Sequence, residues 1–108
     1  MVEIYGVIVQ LSVRSGALVV HAPSHSHKLY KSGQTAVAHQ LLDNDQRGHA
    51  YYAPFREAKK GMLSKDVVAV FPELPVGNYV VEHSFGSSSP SYSKRITVYP
   101  DRIAAVEF

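Results

Sequence analysis

The chain contains no cysteine, and this absence removes several kinds of chemistry at once. Disulfide bridges, thiolate catalysis and cysteine-based zinc or iron–sulfur sites all require that residue. Small secreted domains often depend on disulfides, so their absence favours a reducing compartment. A chain of 108 residues can still bury enough apolar surface to fold without cross-links. We therefore expect a single domain that spans residues 1–108.

An excess of charge of one sign is also missing. Eleven basic residues face nine acidic ones, which gives a formal net charge of +2 and a weak surface field. The basic residues are scattered, and only Lys59–Lys60 and Lys94–Arg95 are adjacent. A protein that follows nucleic-acid phosphates needs a dense basic stripe. The composition therefore argues against a nucleic-acid partner.

Long hydrophobic runs are absent as well, and none approaches the length of a membrane span. The N-terminal residues lack the basic start of a signal peptide, carry Glu3 and are interrupted by Gly6. We expect neither a signal peptide nor a membrane span, and we expect a cytoplasmic protein.

What is present is organised around the segment from Val67 to Glu82. Its apolar residues alternate toward one face on both sides of a proline-containing corner. They are Val67, Ala69 and Phe71 before the corner and Tyr79 and Val81 after it, and Leu74 fills the turn between them. Two prolines, Pro72 and Pro75, remove backbone donors, so we expect neither strand to run through the corner. Gly77 then gives the backbone the freedom to re-enter the sheet.

Other segments show the same period of two residues. Residues 3–14 and 17–23 predict two strands joined as a hairpin at a Ser15–Gly16 turn. Further strands are predicted at 35–42, 49–58, 63–71, 79–85, 94–99 and 103–108. Residues 54–60 also fit a short helix, and we favour a strand because the neighbouring elements are all β. About seven short strands without a long helix predict an all-β fold, a single antiparallel β-sandwich.

The C-terminal third carries a more specific pattern: an apolar strand, Leu-Pro-x-Gly-x-Tyr at residues 74–79, a second strand and a final valine-rich pair. This pattern resembles the prealbumin-like sandwich, which includes the carboxypeptidase regulatory-like and collagen-adhesin B-type domains. With residues 16–23 and 49–56 the chain is similar to small stand-alone bacterial β-proteins that are sometimes labelled phospholipase. The resemblance implies an Ig-like architecture with a binding or structural role, and no catalytic residues can be transferred from it. The sequence also lacks a Gly-x-Ser-x-Gly elbow and a calcium loop.

One histidine cluster points to a specific chemistry. His25 and His27 are two residues apart, so both rings share a face in an extended segment, and His21 ends the preceding strand. Three imidazoles can hold zinc, copper or nickel with water completing the shell. The alternative is a solvated histidine-rich loop, since no carboxylate partner is evident nearby. A divalent transition metal is the one cofactor that the sequence suggests.

Exposed tyrosine is the other hint of function, because its ring offers rigid amphipathic area to proteins or sugars. We place five of the seven tyrosines in loops or on outward-facing strand positions: Tyr30, Tyr51, Tyr52, Tyr92 and Tyr99. Tyr79 is expected in the core. For His49, at the start of its predicted strand, two interpretations are open: its ring binds a ligand, or it donates a hydrogen bond to a backbone carbonyl group. The candidate binding residues are Tyr30, His49, Tyr51, Tyr52 and Tyr99.

Catalysis requires a nucleophile or an acid–base pair held in a pocket. Ser87–Ser89 lie near His83 in sequence but lack an orienting acid, and the carboxylates form no evident pair. We therefore predict a non-catalytic interaction module that binds a protein partner or self-associates through a sheet face or an edge strand. One alternative is a carbohydrate-binding module that uses exposed tyrosines. The other is a metal-binding protein that uses His21, His25 and His27.

Overall fold

A computed structural model describes residues 2–22, 35–57, 67–84 and 91–108. Within these ranges the chain forms nine strands and no helix. The strands are β1 (Val2–Ile4), β2 (Val7–Val9), β3 (Ser15–Ala22), β4 (Thr35–Leu41), β5 (Arg47–Glu57), β6 (Val67–Pro75), β7 (Gly77–Ser84), β8 (Ser91–Val98) and β9 (Ile103–Glu107). The predicted all-β class is therefore confirmed for the described residues. The strand at residues 54–60, predicted over a helix, is confirmed as far as Glu57.

Seven of the strands form one mixed sheet in the order β8-β7-β4-β5-β6-β3-β9. Neighbouring strands run antiparallel except for β3 and β9, which are parallel. The two outermost strands, β8 and β9, approach each other, and the Lys94 ammonium donates to the Glu107 carbonyl oxygen at 2.5 Å. The sheet thus curls nearly into a barrel. The parallel pair corrects the expectation of a purely antiparallel sheet.

Strand β5 belongs to both parts of this curled sheet. Its first part, as far as Pro54, pairs with β4, and its last residues, from Phe55 to Glu57, pair with β6. The sheet therefore divides into a β4–β7–β8 half and a β3–β6–β9 half that share β5. Their inner faces enclose the main core, to which both halves contribute apolar side chains.

The main core contains the alternating residues of the segment from Val67 to Glu82. All six that were predicted to point inward, on β6, at the corner and on β7, are buried in this one cluster. At the C-terminus, Val106 is buried in the cluster and Phe108 packs against it, as the alternation of β9 predicts. Period-two alternation therefore located the main core correctly.

The corner itself differs from the prediction, because β6 runs through Pro72 and ends at Pro75. Pro72 lies where the pairing of β3 and β6 shifts register, between Gly16 and Leu18, so the ladder does not require its missing N–H there. Only Val76 separates β6 from β7. The corner is closed by Tyr79, whose hydroxyl donates to the Pro75 carbonyl oxygen at 2.5 Å. Burial, and then the neighbouring Tyr51, raises the pKa of Tyr79 to about 12.

The N-terminal segment also departs from the prediction of one strand over residues 3–14. Strands β1 and β2 pair only with each other, around a turn at Tyr5 and Gly6. Both turn residues have positive φ, 49° and 80°, which is the geometry of a two-residue type I′ hairpin turn. The expected Ser15–Gly16 turn is also wrong, since Ser12 and Ser15 bridge across residues 13–14 and β3 begins at Ser15.

This N-terminal hairpin packs on the outer face of the β3–β6–β9 half. There it completes a second apolar cluster whose buried members are Val9, Ala17, Val19, Val68 and Val70. Two polar contacts hold it in place: the Gln10 N–H donates to the Pro72 carbonyl oxygen at 3.0 Å, and Arg56 donates to the Tyr5 carbonyl oxygen at 2.9 Å. As a result, β6 is buried on both faces from Val67 to Phe71.

Gly16 marks the tightest contact between β3 and the connection from β8 to β9. A Cβ atom there would lie 2.5 Å from the Tyr99 carbonyl oxygen and 2.7 Å from that of Arg102. Backbone bonds hold the two segments together, from the Ala17 N–H to Arg102 and from the Asp101 N–H to Ser15. Only glycine fits this position without a backbone shift.

Candidate functional site

The outer face of the β4–β7–β8 half is not covered by another described strand, and its residues follow from the strand register. Val37 on β4 is paired with Tyr52 on one side and with Glu82 on the other. His39 is paired with Val80 in the next outward-facing row. The Tyr52 side chain is 67% exposed, whereas Val37 is half-buried beside it. We name Val37, His39, Arg47, Tyr52 and Glu82 the partner face.

Charged groups at this face meet at the Glu82 carboxylate. One of its oxygens forms an ion pair with Arg47, and the other lies 3.7 Å from the His39 imidazole Nε2. A register shift between His39 and Leu41 brings Arg47 level with Leu41 and so onto this side of the sheet. Glu82 and His39 are half-buried, while Arg47 is exposed. The cluster therefore presents ordered charge next to the exposed Tyr52 ring.

A cleft of about 700 Å³ lies beside the partner face, between the β4–β5 turn and the end of β8. Its polar and aromatic lining comes from residues far apart in the sequence: Asp43, Asp45, Asn78, Arg95, Thr97 and Tyr99. Leu41, Leu42 and Ile96 complete the walls. Because β4, β7 and β8 are neighbours in the sheet, their ends converge at this point.

The lining of the cleft is held by a compact set of bonds. The turn after β4 is closed by the Leu42 N–H, which donates to the Gln46 carbonyl oxygen, and by the Asp45 N–H, which donates to that of Leu42, both at 2.9 Å. Asp45 has a φ of 60° and lies 3.6 Å from the Arg95 guanidinium. Across the cleft floor, the Thr97 hydroxyl lies 2.6 Å from Asn78 Oδ1 and donates to it.

The structure divides the candidate tyrosines between different environments. Tyr52 and Tyr99 are exposed as predicted, but they lie apart, on the partner face and in the cleft. The outward orientation predicted for Tyr51 is wrong. Its ring is half-buried against the main core, with its centroid 6.2 Å from that of Tyr79, because Tyr51 shares the inner side of β5 with Ala53 and Phe55.

His49 lies next to Tyr51 on that inner side, near the N-terminal end of β5. Its ring is exposed and meets the Tyr51 ring edge-on at 4.6 Å between centroids. His49 and Tyr51 therefore form a ring pair at the rim of the core, separate from the partner face and from the cleft. Tyr30 and Tyr92 are candidates whose side chains lie outside the described part of the chain.

The metal hypothesis involves one described residue. His21 is the last residue but one of β3, paired with Val68 on one side and with Glu107 on the other. His25 and His27 lie outside the described residues, so the three-histidine site stays a prediction. Among the residues that the structure describes, no three histidine or carboxylate side chains come close enough to hold a metal ion. Stoichiometric metal binding that is lost in His25→Ala and His27→Ala variants would support that site.

The cleft was missed at the sequence level, although one local signal was present. The sequence Asp43-Asn44-Asp45 is typical of a turn, and the structure exposes both of its carboxylates. Nothing in the sequence placed Asn78 or Arg95 next to that turn, because the pairing of β4, β7 and β8 creates this proximity.

Comparison with known proteins finds no relative of this chain. The chain matches no protein-family model, no curated protein and no solved structure. Within the four described ranges, no helix has the length and apolarity needed to cross a membrane.

Proposed function

We propose that the protein is a non-catalytic binding module that holds a protein partner on the partner face. One observation carries this proposal: the N-terminal hairpin covers the outer face of one half of the sheet, whereas no other described strand packs on the corresponding face of the other half, where Tyr52 is 67% exposed. The open face carries the exposed ring of Tyr52 beside half-buried Val37 and the Glu82 ion-pair cluster. Aromatic and arginine side chains in such a setting are the residues that contribute most at protein interfaces.

The sheet face is a better candidate than the sheet edges. The outer strands β8 and β9 lie close to each other, and Lys94 bridges them through the Glu107 carbonyl oxygen. Charged side chains that cover an edge oppose the addition of a further strand. We therefore favour side-chain contacts on the partner face over strand pairing, and we assign no catalytic step or cofactor to the protein.

We further propose that the fold is a prealbumin-like sandwich in which the two halves are the facing sheets. Two features support this architecture. Strand β5 passes from one half to the other, as corner strands do in sandwiches. The bond from Tyr79 to the Pro75 carbonyl oxygen resembles the tyrosine corner of Ig-like domains, in which a tyrosine hydroxyl reaches back to the backbone a few residues upstream.

Tyr52→Arg tests the partner face, because the longer charged side chain should disrupt packing without touching the core. The matched control is Val13→Arg at an exposed position (83%) that belongs to neither candidate surface. Light scattering after size exclusion measures whether the partner is a second copy of the chain. If it is, wild type and Val13→Arg should form a dimer, and Tyr52→Arg should be monomeric.

A different partner protein would appear in chemical cross-linking with the native host's lysate. Support requires a cross-linked species that Val13→Arg retains and Tyr52→Arg loses. The proposal fails if wild type is monomeric and forms no cross-linked species that depends on Tyr52.

A further inference from the structure

We infer that the cleft between the β4–β5 turn and β8 is a binding site for a neutral saccharide. The inference goes beyond the partner face, because the cleft uses none of that surface's five residues. It rests on the size of the cleft, on the mixture of hydrogen-bonding groups that line it and on one exposed aromatic ring.

The size of the cleft suits a small ligand. Its volume of about 700 Å³ falls within the range of roughly 300–1,000 Å³ that is usual for ligand sites. Apolar pockets bind apolar ligands, but here polar side chains contribute most of the lining. Such a cleft requires a ligand that offers many hydrogen bonds.

The polar lining offers both acceptors and donors. The carboxylates of Asp43 and Asp45 accept hydrogen bonds, and the Arg95 guanidinium donates them. Oδ1 of Asn78 accepts a hydrogen bond from the Thr97 hydroxyl, and the amide NH₂ of Asn78 can donate to a ligand. A sugar hydroxyl both donates and accepts, so a polyhydroxylated ligand matches such a lining better than a ligand with one kind of group.

The charge of the lining favours a neutral ligand. Two carboxylates and one guanidinium give a formal charge of −1, and the one guanidinium, that of Arg95, already has the Asp45 carboxylate 3.6 Å away. A phosphate or a sulfated sugar would meet the remaining carboxylate of Asp43 at a cost in Coulomb energy. A neutral sugar avoids this repulsion.

Tyr99 supplies the apolar contact that a sugar ring needs. Its side chain is 57% exposed at the cleft, and Leu42 lies in the adjoining wall. A tyrosine ring combines a flat apolar surface with a hydroxyl at its edge, which suits the C–H face of a pyranose and its neighbouring hydroxyl groups. The polar groups then bind the remaining hydroxyls.

The site is also ordered before a ligand arrives. Backbone bonds fix the turn that carries Asp45, and Thr97 fixes the Asn78 side chain. Groups that are already held in place lose less conformational entropy on binding, so each contact contributes more to affinity.

The experiment is a titration of the isotope-labelled protein with neutral tetrasaccharides of glucose, xylose, mannose and N-acetylglucosamine, followed by amide NMR spectra. We expect at least one of them to bind saturably at millimolar concentration, with shifts concentrated at residues 41–45, 78 and 95–99. Tyr99→Ala should weaken that binding about tenfold or more, whereas Tyr99→Phe, which keeps the ring, should retain most of it. Val13→Ala is the control and should bind like wild type.

Two further arms contain calcium chloride and sodium phosphate. The inference would be overturned if none of the four saccharides changed the amide chemical shifts, if the changes were confined to other parts of the protein, or if Tyr99→Ala bound as well as wild type. Binding of calcium or phosphate alone at the cleft would also overturn it and would indicate an ion site. Because these readouts do not involve Tyr52, their failure leaves the partner face standing, and failure of the partner face leaves the saccharide site standing.

Discussion

The outer face of the β3–β6–β9 half is apolar and lies beneath the N-terminal hairpin, whereas that of the β4–β7–β8 half is mainly polar and no other described strand packs on it. In the first half, Val68 and Val70 point away from the main core and are still buried. In the second half, the corresponding positions hold Tyr52, His39 and Glu82. The same sheet thus has one outer face buried beneath the hairpin and another that exposes polar and aromatic side chains.

This difference is visible in the burial of individual strands. Strand β6 is buried at five successive residues from Val67 to Phe71, which is typical of a strand covered on both sides. Strand β4 has its buried residues at alternate positions, Ala36 and Ala38, as in a strand covered on one side. Strand β6 therefore shows as a continuous apolar run in the sequence and strand β4 shows as alternation, while on β7 the outward-facing Val80 is buried as well, at 8% exposure.

The largest expected loss of stability comes from a substitution at Gly16, where β3 contacts the β8–β9 connection. Gly16→Ala should lower the free energy of unfolding by about 3 kcal/mol, because its methyl group would overlap two backbone carbonyl oxygens that cannot rotate away. Gly48→Ala is the control, since its nearest neighbour is the flexible end of Leu42 at 3.1 Å. Urea denaturation of both variants measures the difference, and a Gly16→Ala protein as stable as Gly48→Ala would contradict this account.

The second largest effect is expected from a substitution that detaches the N-terminal hairpin from the outer face of the β3–β6–β9 half. Val9→Asp places a carboxylate in the second cluster, where Val9 is 1% exposed, and should cost about 2 kcal/mol as the hairpin separates from the sheet. Ile8→Asp, at the neighbouring 51% exposed position, should change stability little. Binding of a hydrophobic dye should rise only in Val9→Asp. Similar behaviour of the two variants would show that the hairpin does not cover that face.

A smaller effect concerns the corner that joins the two halves. Tyr79→Phe should cost about 1 kcal/mol, because the Pro75 carbonyl oxygen loses its donor while the ring stays buried. The raised pKa of Tyr79 adds a pH dependence. With a pKa of about 12 in the native state, against about 10 in the unfolded chain, the native state binds this proton more tightly.

The contribution of Tyr79 to stability is therefore present below pH 10 and declines as the pH rises from about 10 toward 12. Other groups also titrate in that range, so the measurement is the difference between wild type and Tyr79→Phe in urea at several pH values. This difference should shrink above pH 10. A difference that stays constant or grows with pH would contradict the assignment.

The smallest effect lies on the open face. Glu82→Gln should cost about 0.5 kcal/mol, because ion pairs near the surface contribute little. The loss should decrease at high salt, where the wild-type pair is screened. A loss of several kcal/mol would show that the cluster serves stability rather than contacts, and the contrast between the two halves would weaken.

The sequence predicted the main core well because period-two alternation is a local property. The inward positions of Val67, Ala69 and Phe71 on β6, and of Tyr79 and Val81 on β7, follow from their spacing alone. Pairing between strands is not local, which explains the errors at the N-terminus: residues 3–14 were predicted as one strand paired with residues 17–23, whereas β1 and β2 pair with each other. Gly6 was the available signal for that turn, because glycine readily adopts the positive φ of 80° that the second turn residue has. The positive φ of Tyr5 could not be predicted, since few residues other than glycine favour it.

The candidate surfaces were predictable only in part. The exposure of Tyr52 and Tyr99 was predicted correctly, while Tyr51 was placed on the outside although it lies two residues from Ala53 and four from Phe55, which share its inner side of β5. The cleft could not be predicted, because its walls are assembled from three strands and a turn whose order in the sheet differs from their order in the chain.

The contrast between the two outer faces is tested most directly by NMR relaxation in the presence of a soluble gadolinium chelate. The methyl groups of Val68 and Val70 should be protected nearly as well as those of Val67 in the main core, while the ring protons of Tyr52 relax strongly. If Val68 and Val70 relax as fast as Tyr52, the hairpin does not cover that half, and the distinction between a closed and an open face is wrong.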